Sequence, residues 1–166
     1  MAQVTLKGTA FNTNGDLPAV GNAAPDFSLV DADLNNVSLA TYAGKKKILN
    51  IVPSLDTPVC ATSTKIFNER VTGRNDVVVL IVSADLPFAQ KRFCDDNKLA
   101  NVIPLAMMRS RNFAKDYGVL LTEGPLAGIT CRAVVVLDEN NKVIHSQLVP
   151  EITQEPDYEA AMQTIA

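Results

Sequence analysis

Lys47-Ile48-Leu49-Asn50-Ile51-Val52-Pro53-Ser54-Leu55-Asp56-Thr57-Pro58-Val59-Cys60 runs from an apolar segment through a turn into the start of a helix. Residues 47–52 have the length and composition of a buried strand. Thr57 is a residue type favoured at an N-cap, where its hydroxyl can accept from a free first-turn N–H. Pro58 then falls at the first helical position, where a missing N–H costs nothing and the fixed φ is already helical. The helix continues over Ala61 to about Arg70, with Val59, Ser63, Ile66, Phe67 and Val71 spaced as an inner face. Cys60 therefore sits in the first turn, among backbone donors without partners and at the positive end of the helix dipole. A free thiol ionises near pH 8.5, and a helix start with a nearby cation can bring that down to roughly 3.5–7.5. This setting predicts a thiolate at Cys60, against the commoner case of a free cysteine that packs as a small hydrophobe.

The chain on either side extends the pattern. Val77-Val78-Val79-Leu80-Ile81-Val82 is an uninterrupted apolar run, the mark of a strand covered on both faces in a parallel sheet. A second helix follows it, with Asp85 or Ser83 as cap, Pro87 in the first turn and Cys94 near the end. Val102-Ile103-Pro104-Leu105 reads as an edge strand, because proline is unwelcome in a central one. Arg111 to Tyr117 reads as a helix closed by Gly118 in the left-handed conformation. After the loop containing Glu123-Gly124-Pro125, the strands Arg132–Leu137 and Val143–Val149 form a hairpin through Glu139-Asn140-Asn141. A last helix starts near Pro156.

Ahead of the core, residues 3–15 alternate loosely and close on Asn12-Thr13-Asn14-Gly15, which predicts an N-terminal β-hairpin turning at Asn14-Gly15. Phe27–Val30 and Val37–Leu39 are short strands around an Asp/Asn-rich turn. Strand, helix, strand and helix, followed by a hairpin and a final helix, make a thioredoxin-like α/β domain with an added N-terminal β-hairpin. The first unit is a right-handed parallel crossover. One domain spans residues 1–166, with 1–16 as the extension.

Composition narrows the function. The 166 residues are 47% hydrophobic and 20% charged, as in an ordinary globular domain. A net charge of −3 with mixed signs gives no nucleic-acid footprint. No run approaches the eighteen or so apolar residues of a membrane span. Met1–Lys7 lacks the charged and apolar regions of a Sec signal, which favours a cytoplasmic protein. The three cysteines, Cys60, Cys94 and Cys131, contain no C-x-x-C, and His145 is the only histidine. Neither a disulfide scaffold nor a Cys/His zinc site is expected, and a general disulfide oxidoreductase is disfavoured.

Pro53-x-x-x-Thr57-x-x-Cys60 resembles the peroxidatic signature of the peroxiredoxins, and more narrowly that of the bacterial thiol peroxidases. Ser83-Ala84-Asp85-Leu86-Pro87-Phe88-Ala89-Gln90-Lys91-Arg92-Phe93-Cys94 is similar to the resolving-cysteine segment of that subfamily. Gly124-Pro125-Leu126, Arg132–Val136 and Pro156-Asp157-Tyr158-Glu159 carry the likeness further, so that it covers nearly the whole chain. It implies that Cys60 attacks a hydroperoxide and becomes a sulfenic acid. Thr57 would bond the thiolate and the peroxide, and Pro53 would shape and shield the loop. Arg132 would supply a permanent cation that keeps the sulfur ionised. Cys94 would resolve the sulfenic acid to an intrachain disulfide, reduced in turn by thioredoxin. Two cysteines on separate helices need not meet bridging geometry in the reduced fold, so both segments are expected to unwind locally. The likeness further implies a homodimer, no bound cofactor, and a preference for organic hydroperoxides with hydrogen peroxide also accepted.

Other residues carry less. Cys131 lies outside the family pattern, and strand alternation turns it to the face opposite Arg132, as a packing residue. Arg109 and Arg111 read as surface residues, and His145 as structural or exposed. Two rival functions share the sequence. A non-catalytic redox sensor would hand its oxidation to a partner, and a thioredoxin-fold binding module would carry an inert Cys60.

Overall fold

The computed structural model describes all residues, Met1–Ala166. Nine strands are present: β1 (Gln3–Leu6), β2 (Thr9–Asn12), β3 (Leu29–Val30), β4 (Asn36–Val37), β5 (Lys46–Ile51), β6 (Val77–Ser83), β7 (Val102–Ala106), β8 (Ala133–Leu137) and β9 (Val143–Leu148). The helices are α1 (Pro58–Arg70), α2 (Pro87–Asp96), α3 (Asn112–Asp116) and α4 (Tyr158–Gln163), with a short 3₁₀ turn at Leu39–Tyr42. Seven strands form one mixed sheet in the order β4-β3-β7-β6-β5-β8-β9. β5 lies near its middle, parallel to β6 and antiparallel to β8.

The period of two along β5 and β8 sorts side chains into two layers. Leu49, Ile51, Ala133, Val135 and Leu137 face one layer, with Cys131, Phe113, Tyr117 and the N-terminal Val4. Ile48, Val52, Val134 and Val136 face the other, with Cys60, Phe67, Cys94, Ala161 and Ile165. The helices that bear Cys60 and Cys94 thus share one side of the sheet, and Arg132, in step with Val134, points to that side as well. Asn50, buried in the centre of β5, pins sheet to helix by donating from Nδ2 to the Ser63 hydroxyl at 3.2 Å.

Several expectations from the sequence need correction. The N-terminal hairpin exists, but it turns at Lys7-Gly8, where φ values of 50° and 85° suit the tight primed turn. Asn14 instead docks on the body of the protein, donating to the Lys115 carbonyl and accepting from Leu120 N–H. β7 is not an edge strand, since it lies between β6 and β3. Its proline is tolerated because Met107 N–H turns to β6, so by alternation position 104 faces the β3 side, where β3 reaches only Ala106. The inner face of α1 is Cys60, Ser63, Thr64, Phe67 and Val71, so Val59 and Ile66 sit on its flank. α4 begins at Tyr158, capped by the Asp157 carboxylate accepting from Ala160 N–H at 3.0 Å.

The cap of α3 is the one expected. Gly118 adopts φ 68°, and a Cβ there would lie 2.2 Å from the Asp16 carbonyl oxygen. Any side chain at 118 would push away the backbone at Asp16, in the segment that follows the hairpin.

Candidate active site

The parallel pairing of β5 with β6 brings the loop after β5 beside the loop after β6, the usual place for a site in such a sheet. Pro58 is the first residue of α1 and Cys60 the third. The N–H groups of Val59 and Cys60 find no acceptor within the chain. The first turn therefore presents two free donors and the positive dipole end beside the sulfur. The Cys60 carbonyl is held from below by the hydroxyls of Ser63 and Thr64, at 3.1 and 2.8 Å.

Arg132 closes the other side. Its Nη1 donates to Cys60 Sγ at 3.2 Å and its Nε to the Ile152 carbonyl at 2.9 Å. The guanidinium is only 2% exposed and the cysteine fully buried. No carboxylate pairs with this arginine, although six other ion pairs occur in the protein. A buried cation without a carboxylate must be satisfied by other acceptors, here the Ile152 carbonyl and the Cys60 sulfur. The arrangement makes the guanidinium a hydrogen-bond donor to that sulfur.

Thr57 occupies the N-cap position with extended backbone, but its hydroxyl does not cap the helix. It donates to the Ser54 carbonyl at 2.9 Å. With Pro58 at the first position and Cys60 N–H left open, the hydroxyl serves the loop rather than the helix. Thr57 and Pro53 both line an open cavity of about 470 Å³ whose floor includes Arg132. Its walls are chiefly apolar, from Leu6, Val59, Leu126, Ile129 and Ile152. The hairpin tip contributes Lys7 to the rim.

Two groups in this neighbourhood escaped the sequence reading. Asp85 is not the cap of α2, whose N-cap is Leu86. Its carboxylate accepts from the Ser54 hydroxyl at 2.7 Å and Leu55 N–H at 2.8 Å, holding the loop before α1. Adjacent parallel strands end side by side, and that rule applied to Asp85 and Ser54 would have paired them. Glu151 is the second. Its carboxylate accepts from Gly8 N–H, the Thr5 hydroxyl and Thr153 N–H, which fastens the hairpin to the loop that offers Ile152 to Arg132. Backbone bonds from Thr153 and Gly8 hold its pKa down at about 2.

Cys94 lies in the same layer as Cys60 but in another environment. It is 8% exposed and the eighth residue of the ten in α2, and burial, then the Asp95 charge, pushes its thiol up to about 11. Cys131 is buried in the opposite layer, and burial pushes it up to about 12. All three cysteines are free thiols. His145 is partly buried, which lowers its basicity. Arg109 is exposed and spans to Asn36 and the Leu34 carbonyl, and Arg111 is also exposed. No group of three or more His, Cys, Asp or Glu side chains could hold a metal ion.

The redoxin family model matches residues 19–162. The thiol peroxidase of Mycobacterium tuberculosis (strain ATCC 25618 / H37Rv) is 51% identical over 165 residues, 99% of each chain. Among solved structures, a peroxiredoxin-like protein from Aquifex aeolicus is 44% identical, with a TM-score of 0.90 over 99% of this chain and 96% of that one. The thiol peroxidase from Chromobacterium violaceum is 25% identical, with a TM-score of 0.91 over 98% and 94%. With the family model spanning most of the sequence and half of all positions shared end to end with a thiol peroxidase, this chain belongs to the redoxin family, among its thiol peroxidases.

Proposed function

We propose that this thiol peroxidase reduces hydroperoxides with Cys60 as nucleophile and Cys94 as resolving thiol. The observation that carries the reading is the buried Arg132 guanidinium donating to the Cys60 sulfur at 3.2 Å with no carboxylate of its own. The Cys60 thiolate attacks the distal oxygen of ROOH. The S–O bond forms as the O–O bond breaks, and the leaving alkoxide takes a proton to become ROH. Cys60 is left as the sulfenic acid. Charge moves from sulfur to oxygen during this step, and the free N–H groups of Val59 and Cys60, with Arg132, are donors aimed where it develops. Thr57, at the mouth of the cavity, orients the peroxide, and Pro53 keeps bulk water off the sulfur.

The Cys94 thiolate then attacks the sulfenic sulfur, an S–S bond forms, and the hydroxyl departs as water. Cys94 is held mostly protonated in the folded form, which supports local unwinding of α2 before this step. A dithiol donor reduces the disulfide, and we take thioredoxin as that donor. The apolar walls of the cavity support organic hydroperoxides as preferred substrates, with hydrogen peroxide also accepted. Leu86, Phe88 and Met108 are 52%, 65% and 38% exposed around the start of α2, which supports a homodimer joined through this face. No helix is long and apolar enough to cross a membrane. We take its site of action to be the cytoplasm.

Rapid mixing of reduced protein with cumene hydroperoxide and with hydrogen peroxide, followed by disulfide mapping, tests the reading. A second-order oxidation of Cys60 that ends in a Cys60–Cys94 bridge is expected. Oxidation no faster than that of a free thiol would overturn it.

A further inference from the structure

Asp85 sits where the two cysteine-bearing segments approach each other. Its Oδ1 accepts from the Ser54 hydroxyl at 2.7 Å, and its Oδ2 from Leu55 N–H and the Ser83 hydroxyl, both at 2.8 Å. On one side the bonds continue into the loop before α1. The Ser54 carbonyl accepts from both the Thr57 hydroxyl and Thr57 N–H, at 2.9 and 3.2 Å. On the other side Ser83 Oγ accepts from Gln90 Nε2 at 3.0 Å, and the same nitrogen donates to the Leu105 carbonyl at 2.9 Å. Gln90 is fully buried and lies one helical turn before Cys94 on the same face of α2. One carboxylate thus joins the turn that leads to Cys60 and the strand end that leads to Cys94.

We propose that Asp85 is a positioning residue and acts as a latch between two forms of the site. Closed, it holds Ser54 and Thr57 so that the first turn of α1 stays wound against Arg132, the form that reacts with peroxide. Open, it frees the loop and lets the Cys60 sulfur leave its buried position for Cys94. The inference rests on the proposed roles of Cys60 and Cys94. Bonds from a carboxylate to a backbone N–H and to hydroxyls are stronger than neutral ones. The two donors on the loop, the Ser54 hydroxyl and Leu55 N–H, would be released by the same movement while Ser83 stays beside Asp85 on β6, which makes Asp85 a setter of that equilibrium. In the resolving step, the Cys60–O bond breaks, the Cys60–Cys94 bond forms, and the oxygen leaves as water with the proton from Cys94.

A latch has a signature that a simple structural anchor lacks, because it affects the two steps in opposite directions. Asp85→Asn puts an amide where an acceptor oxygen was, so it cannot receive all three donors. Quenched-flow mixing with cumene hydroperoxide and mass spectrometry of the products would give sulfenic acid formation, disulfide formation and the sulfinic fraction separately. We expect the first step to slow by about tenfold and disulfide formation to quicken severalfold. The share lost to sulfinic acid at high peroxide should fall, because faster resolution leaves less time for a second oxidation. Ser54→Ala removes one of the three donors, is the milder variant should D85N fold poorly, and should shift both rates the same way by less. Equal slowing of both steps, or no change in either, would overturn the latch. If the wild-type protein itself forms no Cys60–Cys94 bridge, the parent reading falls and takes the latch with it.

Discussion

α1 and α2 both begin with proline at the first helical position and both carry a buried cysteine, yet they place the two sulfurs at opposite ends of the helix. Cys60 is the third residue of α1, beside two unpartnered N–H groups and Arg132. Cys94 lies in the last turn of α2, next to Asp95, with its thiol pushed up to about 11. The same buried residue is thus given a cation and free N–H donors in one place and a neighbouring carboxylate in the other. The difference divides the work proposed for them. One sulfur stands ready to attack, and the other stays protonated and inert until the helix around it opens.

Breaking the first half of the contrast should have the largest effect. Cys60→Ser removes the nucleophile, and peroxide consumption in a coupled assay should drop on the order of 10³-fold or more. Breaking the second half separates two readouts. Cys94→Ser should leave the first oxidation within about twofold of wild type, while thioredoxin-driven turnover stops. Unchanged steady-state turnover in that variant would refute the resolving role.

Arg132→Met keeps the bulk near the sulfur and removes the cation. Oxidation measured by rapid mixing should slow by roughly 10²–10³-fold, as when one preorganised donor to a developing charge is lost. The difference in thiol acidity can be sharpened by titration. In the Cys60→Ser variant, iodoacetamide labelling of Cys94 depends on its thiolate. Because its pKa is raised to about 11, labelling should rise about tenfold per pH unit from neutrality, with no plateau below about pH 10. A plateau near pH 8 would contradict its environment. The smallest effect concerns the hairpin. Glu151 is lowered from the usual 4.5 to about 2, so its contribution is present above pH 4.5 and lost as pH falls towards 2. The protection factors of the Gly8 and Thr153 amides, taken against the intrinsic rate at each pH, should fall as pH drops through that window, and Glu151→Gln should remove that change.

The course of the chain was readable wherever one periodicity dominated. The strands read at residues 47–52 and 77–82 are β5 and β6 to within a residue at each end, and Thr57-Pro58 marked the start of α1 to the residue. The peroxidatic motif drew attention to Cys60, Thr57 and Pro53, and the wider family resemblance to Arg132. The fold brings all four around one cavity or one hydrogen bond. What failed were local choices settled by distant partners. Asn14-Gly15 has the better hairpin signal, but Lys7-Gly8 makes the turn because Asn14 is needed against Lys115 and Leu120. Asp85 has the type and place of a cap, but the loop after β5 claims its carboxylate. Pro104 argued for an edge, and only the limited reach of β3 makes it acceptable inside the sheet. Helix and strand periods are written in neighbouring residues, whereas these preferences depend on which loop arrives opposite.

The sheet also acts as a sorting wall for sulfur. Three thiols can be joined in three pairwise ways, and two of those ways involve Cys131. Cys131 lies on the far side of the strands from the other two. Joining it to either would mean drawing a side chain through a hydrogen-bonded wall. An oxidised molecule that stays folded can therefore be repaired by any reductant able to open one kind of link, and no isomerase is needed to untangle wrong ones.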